Sequence, residues 1–346
     1  MVYDHEVAAT KSLNRTGTLV AIAVFIALMV DGMDLQMLSL SLTSISKEFH
    51  LSTIAAGALS TWTLAGMGLG GALAGWLSDR VGRARVVLYS VLIFSAFTGV
   101  IAISHSFGQI ALLRLVSGFG LGSVYSIGTL LAAEYVPMEK RTTILGTLQA
   151  GWSAGYVAAA LLSSWLLPVH GWRILFAAAV LPGIVSVILL WNLPDPPSWI
   201  ENRRNARRAN IQATPFRSIW ADAPVRRCFI LWSLASIALQ FGYYGATTWL
   251  PSYLVKDLGV NLQSAGWYVA GTYAMMFAGK VITGWLADRT GRKMMWVLAG
   301  VLTAVYVPLL VYAATPANVA YLLLVFGFFY GAPYAVSATY MSESFP

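Results

Sequence analysis

Hydrophobic residues run along this chain in long blocks, with neither the alternation of a half-buried strand nor the narrow stripe of a surface helix. Ten blocks stand out, at 19–42, 53–77, 86–104, 108–134, 143–167, 172–193, 228–253, 263–286, 294–314 and 317–340. A helix needs about 20 apolar residues to cross a bilayer, and each block is close to or above that length. The pattern predicts an all-α polytopic membrane protein. Polar connections between blocks are short, except from Pro194 to Pro224, where Pro-Asp-Pro-Pro precedes Arg203, Arg204, Arg207 and Arg208. That stretch reads as a linker over 194–225, dividing an amino-terminal bundle (1–193) from a carboxy-terminal one (226–346).

Composition agrees with this picture. Of 346 residues, 58% are hydrophobic and 10% charged, against about 25% charged in soluble domains. A net charge of +8 would suggest nucleic acid if it formed a patch on a soluble surface, but here topology accounts for it. One set of alternate connections holds Lys11, Arg15, Arg80, Arg83, Arg85, Lys140, Arg141, Arg203, Arg204, Arg207, Arg208, Arg217, Arg226, Arg227, Arg289, Arg292 and Lys293. The other set holds only Lys47, Arg173 and Lys256. The positive-inside rule therefore predicts a cytoplasmic N-terminus. The first span is too long and too acidic for a cleaved signal peptide. Cys228, the single cysteine, excludes an internal disulfide framework.

The chain also repeats itself. Gly75-Trp76-Leu77-Ser78-Asp79-Arg80-Val81-Gly82-Arg83 returns as Gly284-Trp285-Leu286-Ala287-Asp288-Arg289-Thr290-Gly291-Arg292, a displacement of 209 residues. The same displacement carries Gly118, Gly122, Glu134 and Pro137 onto Gly327, Gly331, Glu343 and Pro346. A constant offset between two parallel halves indicates duplication of a six-span unit. On that reading the chain holds ten of twelve spans, and two further spans are expected after Pro346.

Chemistry concentrates in the first span, at Val30-Asp31-Gly32-Met33-Asp34-Leu35-Gln36. Two carboxylates three residues apart share a helix face. An ionised Asp at bilayer depth costs at least about 2.5–3.5 kcal/mol, so these acids are expected to face protein or a wet cavity. Low dielectric and like charge both oppose ionisation of neighbouring acids, which makes Asp31 and Asp34 candidates for carrying a proton. Two cations also lie inside spans, Arg114 and Lys280. Arg114 suits bidentate contact with a carboxylate, whether a substrate's or, as a fixed pair, that of a span-one Asp. Lys280 either snorkels to the nearby membrane interface or offers a cavity cation to an organic anion. The repeat matches Asp31 and Asp34 with Gln240 and Tyr243, Arg114 with Leu323, and Lys280 with Gly71. Titratable acids thus belong to one half, and amide and phenol groups (Gln240, Tyr243, Tyr244, Tyr330, Tyr334) to the other. Such rings can sandwich a flat substrate, with Tyr125, Gln149 and Trp152 as the facing wall.

Gly75 to Arg83, with its second copy, resembles the G-x-L-a-D-r-x-G-r loop of the major facilitator superfamily. Arg114-Leu-Val-Ser-Gly118-Phe-Gly120-Leu-Gly122 is similar to that family's R-x-x-x-G-x-G-x-G element. Asp31-Gly-Met-Asp34 resembles the D-G-x-D signature of the aromatic acid:proton symporters, the carriers of muconate, benzoate and hydroxybenzoate. Gly151-Trp-Ser-Ala-Gly155-Tyr156 lacks the Gly-Pro pair of the drug antiporters. The resemblance implies two six-helix bundles rocking about a central cavity, lined by spans one, four, seven and ten. It implies transport roles for Asp31 and Asp34, and a part in proton coupling for Arg114. The loops with Asp79, Arg80 and Arg83 and with Asp288, Arg289 and Arg292 read as gates, and Glu134 and Glu343, near the inner span ends, are expected to pair with these arginines.

The function expected from these features is uptake of a small organic, aromatic or ring-derived carboxylate with protons, by a monomer in the bacterial inner membrane. Its partners would be the anion, protons and the lipid bilayer, with no nucleic acid, metal or cofactor. If Asp31, Asp34, Arg114 and Lys280 all face one cavity, its charge is balanced, and adding a carboxylate calls for a proton. The rivals are a proton-coupled carrier of another acid, such as a sialic or sugar acid, and a non-transporting substrate sensor. An enzyme is not indicated: His5 lies in the tail, His50, His105 and His170 in loops, and no nucleophile–base pair stands out.

Overall fold

The computed structural model describes residues 15–136, 140–208 and 218–344. The tail with His5 and Lys11, the linker residues 209–217 with Arg217, and Pro137 and Pro346 of the repeat lie outside the described residues, as do the side chains of Arg207 and Arg208. The described residues form helices joined by short turns, with no strand among them.

Span one is α1 (Arg15–Glu48), span two α2 (Thr53–Val81) and span three α3 (Arg83–Ile101). Span four begins as α4 (Phe107–Ser123), passes through a π-helical turn (Val124–Gly128) and ends as α5 (Thr129–Ala133). Spans five and six share α6 (Arg141–Ala178), which bends at Gly171 where φ is 73°, and continue into α7 (Val180–Leu190). The linker holds α8 (Pro197–Arg208) and α9 (Ser218–Ala221). Then follow α10 (Ala223–Lys256), α11 (Leu262–Thr290) and α12 (Arg292–Ala313), and the tenth block is split into α13 (Val319–Tyr330) and α14 (Ala332–Ser344). Among the described residues, seven helical stretches are long and apolar enough to cross a membrane, one of them the 50-residue stretch Arg141–Leu190 with its kink at Gly171. At 29 residues each, α2 and α11 have the length but carry many small and hydroxylated residues.

Matching residues of the two repeats end and begin their helices alike. Ser52 caps α2 by accepting from the Ala55 amide, and Asn261, 209 positions on, caps α11 by accepting from the Ser264 amide. These side chains satisfy amides that a helix start leaves without partners. Gly82 and Gly291 separate α2 from α3 and α11 from α12 with φ of 119° and 102°, a region that disfavours any side chain. That tight turn sets the two loops at one end of the helices, here termed the basic end.

Packing repeats as well. Helix α2 lies along α4, and α11 along α13. A Cβ on Gly118 would strike the Thr63 carbonyl, and one on Gly327 the Thr272 carbonyl; likewise Gly70 meets the Phe119 backbone and Gly279 that of Phe328. Each pair is related by the same 209-residue offset. Small residues let membrane helices approach closely where lipid offers no hydrophobic driving force. Gly118→Ala is therefore expected to cost about 1–3 kcal/mol through overpacking, despite Ala's higher helix propensity. Gly300→Ala, where nothing lies within 4 Å, should be neutral or stabilising. Melting midpoints in detergent compare the two; equal midpoints would show that the close contact is dispensable.

Candidate functional site

The two acids of α1 go to different partners. Asp34 turns toward α3 and α4. Its Oδ2 accepts from Nη1 of Arg114 at 2.6 Å, and its Oδ1 from the Thr98 hydroxyl at 2.6 Å and from Nη2 of Arg114 at 3.5 Å. Arg114 is wholly buried and its guanidinium stands 4.9 Å from the centre of the Phe176 ring. Of the two readings of Arg114, this structure displays the ion pair with span one.

Asp31 turns toward α6. It is completely buried, no cation lies within ion-pair distance, and among the described residues neither oxygen accepts a hydrogen bond. The Trp152 indole N–H faces Asp31 as its one neighbouring donor, although the contact falls outside strict hydrogen-bond geometry. Tyr125, Tyr156 and Tyr244 lie within electrostatic reach of the acid. Gly32 explains the approach: a Cβ there would overlap the Trp152 carbonyl, and one on Gly155 the Met29 carbonyl. Between the two acids, only a glycine lets α1 rest on the turn of α6 that carries Trp152.

The aromatic residues form one continuous wall. Tyr243 is stacked between Trp152 (ring centres 5.9 Å apart, 14° between planes) and Tyr330 (5.2 Å, 7°). Tyr125 stands 5.8 Å from Trp152, and Tyr244 meets it edge-on at 6.3 Å. The Tyr330 hydroxyl donates to the Tyr243 carbonyl at 2.6 Å, and the Tyr334 hydroxyl to Oε1 of Gln240 at 2.7 Å. The π-helical turn in span four includes Tyr125; such turns recur at functional sites. Tyr125, Gln240 and Tyr244 also line a cleft of about 810 Å³ between α2 and α10.

Lys280 does not snorkel. It is 1% exposed, and its Nζ donates to the Gln149 carbonyl at 3.0 Å. Gly331 leaves room for its stem, since a Cβ there would crowd the Lys280 Cε and the Met276 side chain. No carboxylate lies within ion-pair distance among the described residues. The Gln149 amide donates to the Thr129 hydroxyl at 3.3 Å. The charges are thus a closed pair, Asp34–Arg114, and two separate groups on neighbouring parts of α6: Asp31 against Trp152 and Lys280 against Gln149.

At the basic end, Asp288 sits on the N-terminus of α6, accepting from the Thr143 amide at 2.8 Å and its hydroxyl at 2.7 Å. Arg292 donates to the Thr142 hydroxyl at 3.1 Å and to Glu343 at 2.8 Å. In the other half Arg83 pairs with Glu134, which also accepts from the Ser198 hydroxyl at 2.8 Å. Asp79 lies within electrostatic reach of Arg83. Arg80 and Arg289 lie over the rings of Trp76 and Trp285, at 3.9 and 3.8 Å.

Four residues join the site that sequence reasoning did not single out: Thr98, Gln36, Tyr156 and Tyr273. The Tyr273 hydroxyl donates to Oε1 of Gln36 at 3.3 Å, and its ring meets Tyr156 at 4.5 Å. Tyr156 lies one helical turn after Trp152, and Tyr273 two turns before Lys280, so helical spacing from these candidate residues points to both. Nothing in sequence points to Thr98. Chemically, a carboxyl without an ion pair can exchange a proton without breaking a salt bridge. An ammonium with three donors and one acceptor has capacity for an anion.

The model of the Major Facilitator Superfamily matches residues 24–346. The chain is 45% identical over 335 residues to the cis,cis-muconate transport protein of Acinetobacter baylyi, covering 96% of this chain and 81% of that one. It is 28% identical over 297 residues to a gallate transporter of Pseudomonas putida, covering 78% and 66%. Its fold is similar to the xylose transporter XylE from E. coli in a partially occluded inward-open conformation, at a TM-score of 0.75 and 18% identity, over 95% of this chain and 87% of that one. The protein is a multi-pass member of the Major Facilitator Superfamily, a family of transporters rather than enzymes.

Proposed function

We propose that this protein imports a small aromatic or ring-derived carboxylate, of the class of muconate, benzoate or hydroxybenzoate, together with protons. The observation that carries the reading is Asp31: a fully buried carboxyl with no cation within ion-pair distance among the described residues and only the Trp152 indole N–H facing it as a donor, set against a wall of Trp and Tyr. Left ionised and unpaired, it would be very costly. A proton removes that cost and leaves Lys280 to receive the substrate carboxylate. Bound acid and proton then travel together, and the charge of the site is preserved. The 45% identity to a muconate transport protein supports the substrate class.

In this scheme Asp34, Arg114 and Thr98 hold spans one, three and four in register, while Asp31 loads and unloads. Gln149, Trp152, Gln240, Tyr244, Tyr330 and Tyr334 shape a slot for a planar acid. Tyr243, between Trp152 and Tyr330, stands where a substrate ring would lie and withdraws when one binds. The basic end faces the cytoplasm of a bacterial cell. Residues 1–193 and 226–346 rock about the site, joined by 194–225, and the contacts of Asp79, Arg80, Arg83, Asp288, Arg289 and Arg292 break as the inner side opens.

Proteoliposomes loaded with a pH dye, given labelled cis,cis-muconate, benzoate, 4-hydroxybenzoate and an aliphatic acid at two external pH values, test this directly. Uptake should be faster at the acidic value, acidify the lumen and stop with a protonophore. Anion uptake with no proton movement, or no uptake of any ring-derived acid, would sink the proposal.

A further inference from the structure

The 209-residue repeat relates one more pair of residues, Lys47 and Lys256. Each sits in the last turn of its helix, α1 and α10. They are two of only three basic residues assigned to the connections opposite the basic end. A cation at a helix C-terminus is favoured by the helix dipole, which accounts for each lysine separately. It does not account for their convergence. Both line a single cavity of about 240 Å³ at that end, together with Thr43, Ser46, Ser252 and Trp249.

No carboxylate lines this cavity, and neither lysine makes an ion pair among the described residues. The acid next to Lys47 in sequence, Glu48, is engaged elsewhere: it accepts from the Trp172 indole at 2.7 Å and from Arg173 at 2.7 Å. The Trp249 ring is 38% exposed and forms part of the wall. Two turns along α1 from Lys47, the Ser39 hydroxyl donates to the Thr248 carbonyl at 2.9 Å and joins α1 to α10. From Lys47 to Asp31 along α1 is about 24 Å at the helical rise.

We propose that Lys47 and Lys256 form an outer capture site for the carboxylate substrate, above the contact at Ser39. The inference rests on the import reading given above. Two ammonium groups on either side of the pseudo-twofold receive one carboxylate each from a dicarboxylate, or share that of a monoacid. The hydroxyls of Thr43, Ser46 and Ser252 accept or donate at the rim, and Trp249 offers a face to a planar carbon skeleton. The cavity is smaller than a typical ligand pocket of about 300–1,000 Å³, and its lysines are exposed. It suits brief collection of an anion at the mouth rather than tight binding. Charges of one sign at a cleft raise local counter-ion concentration and on-rate by about 10- to 1,000-fold at low ionic strength, and salt screens the effect over about 8 Å at 0.15 M.

Initial uptake rates of labelled cis,cis-muconate and benzoate, measured in proteoliposomes over a range of ionic strength, test the proposal. In the unaltered protein KM should rise with salt. The double variant Lys47→Gln/Lys256→Gln should show a KM raised about 3- to 10-fold at low salt, an unchanged maximal rate, and a KM indifferent to salt. Lys47→Arg/Lys256→Arg should restore both the low KM and its salt dependence. Melting midpoints in detergent establish that all variants are folded. A double Gln variant with the parent's KM and salt response, when the parent itself transports, overturns the capture site and leaves the import reading intact. A parent that carries neither acid overturns both.

Discussion

Arg114→Gln is expected to destabilise the protein by about 3–5 kcal/mol, the usual cost of removing one member of a buried ion pair, and to abolish uptake. The magnitude follows from what remains. Asp34 is 2% exposed and would retain only the Thr98 hydroxyl as a donor. Its charge would then be uncompensated among α1, α3 and α4. Arg114 also loses its place beside the Phe176 ring, which joins span six to the same cluster. Asp34→Asn should cost less, because an amide still meets Thr98, yet it strands a buried guanidinium. The double variant Arg114→Gln/Asp34→Asn should recover a large part of the lost stability, since replacing both partners of a buried pair is often close to neutral. A double-mutant cycle on melting midpoints in detergent isolates the interaction. If Arg114→Gln melts with the parent, the pair does not hold these spans together, and the reading of Asp34 as a fixed group fails.

The contrast between Asp34 and Asp31 marks where sequence reasoning ran out. Their spacing predicts a shared face of α1. But three residues on a helix leave about 60° between side chains, enough for each to meet a different neighbour. Which helix stands on which side is decided by packing, through contacts such as Gly32 on the Trp152 backbone and Gly118 on that of Thr63. The repeat was the most informative sequence feature, because its single offset carries not only motifs but caps (Ser52, Asn261), turns (Gly82, Gly291) and contacts (Gly118–Thr63, Gly327–Thr272) from one half to the other. Apolar blocks coincide with helical stretches among the described residues, with ends displaced by a few residues, as where α1 runs from Arg15 to Glu48 around the block 19–42. Lys280 was legible only as a cation in a span. Its burial depends on a void left by Gly331 on another helix, and no local rule of sequence reports that. Tyr243 belonged to the aromatic set on sequence grounds, but its stacking between Trp152 and Tyr330 requires three helices to be placed at once.

Asp31→Asn should behave in the opposite way to the Arg114 variant: folded and able to bind, but unable to accumulate. The wild-type carboxyl has no ion pair to lose among the described residues, and an amide oxygen can still accept from the Trp152 indole that faces it, so the substitution is expected to leave the melting midpoint unchanged or raise it. An amide resembles the protonated acid in shape and charge. It keeps the side chain permanently in the form that accompanies the substrate, so exchange of labelled acid for unlabelled acid across the membrane should persist. Net accumulation should not. A carboxylate and its proton cross together without net charge, so the drive is the pH gradient: each unit contributes about 1.4 kcal/mol, about a 10-fold concentration ratio, and a site that cannot release its proton forfeits that factor. At an imposed gradient of one pH unit, acid outside, the steady-state ratio of labelled acid should therefore fall by about 10-fold for each proton that Asp31 delivers, while counterflow remains. Asp34→Asn, by contrast, should lose stability, exchange and accumulation together, because it disturbs the pair with Arg114. Should Asp31→Asn accumulate substrate to the parent's level, the proton is carried by another group, and the absence of an ion-pair partner for Asp31 among the described residues would need a different reason.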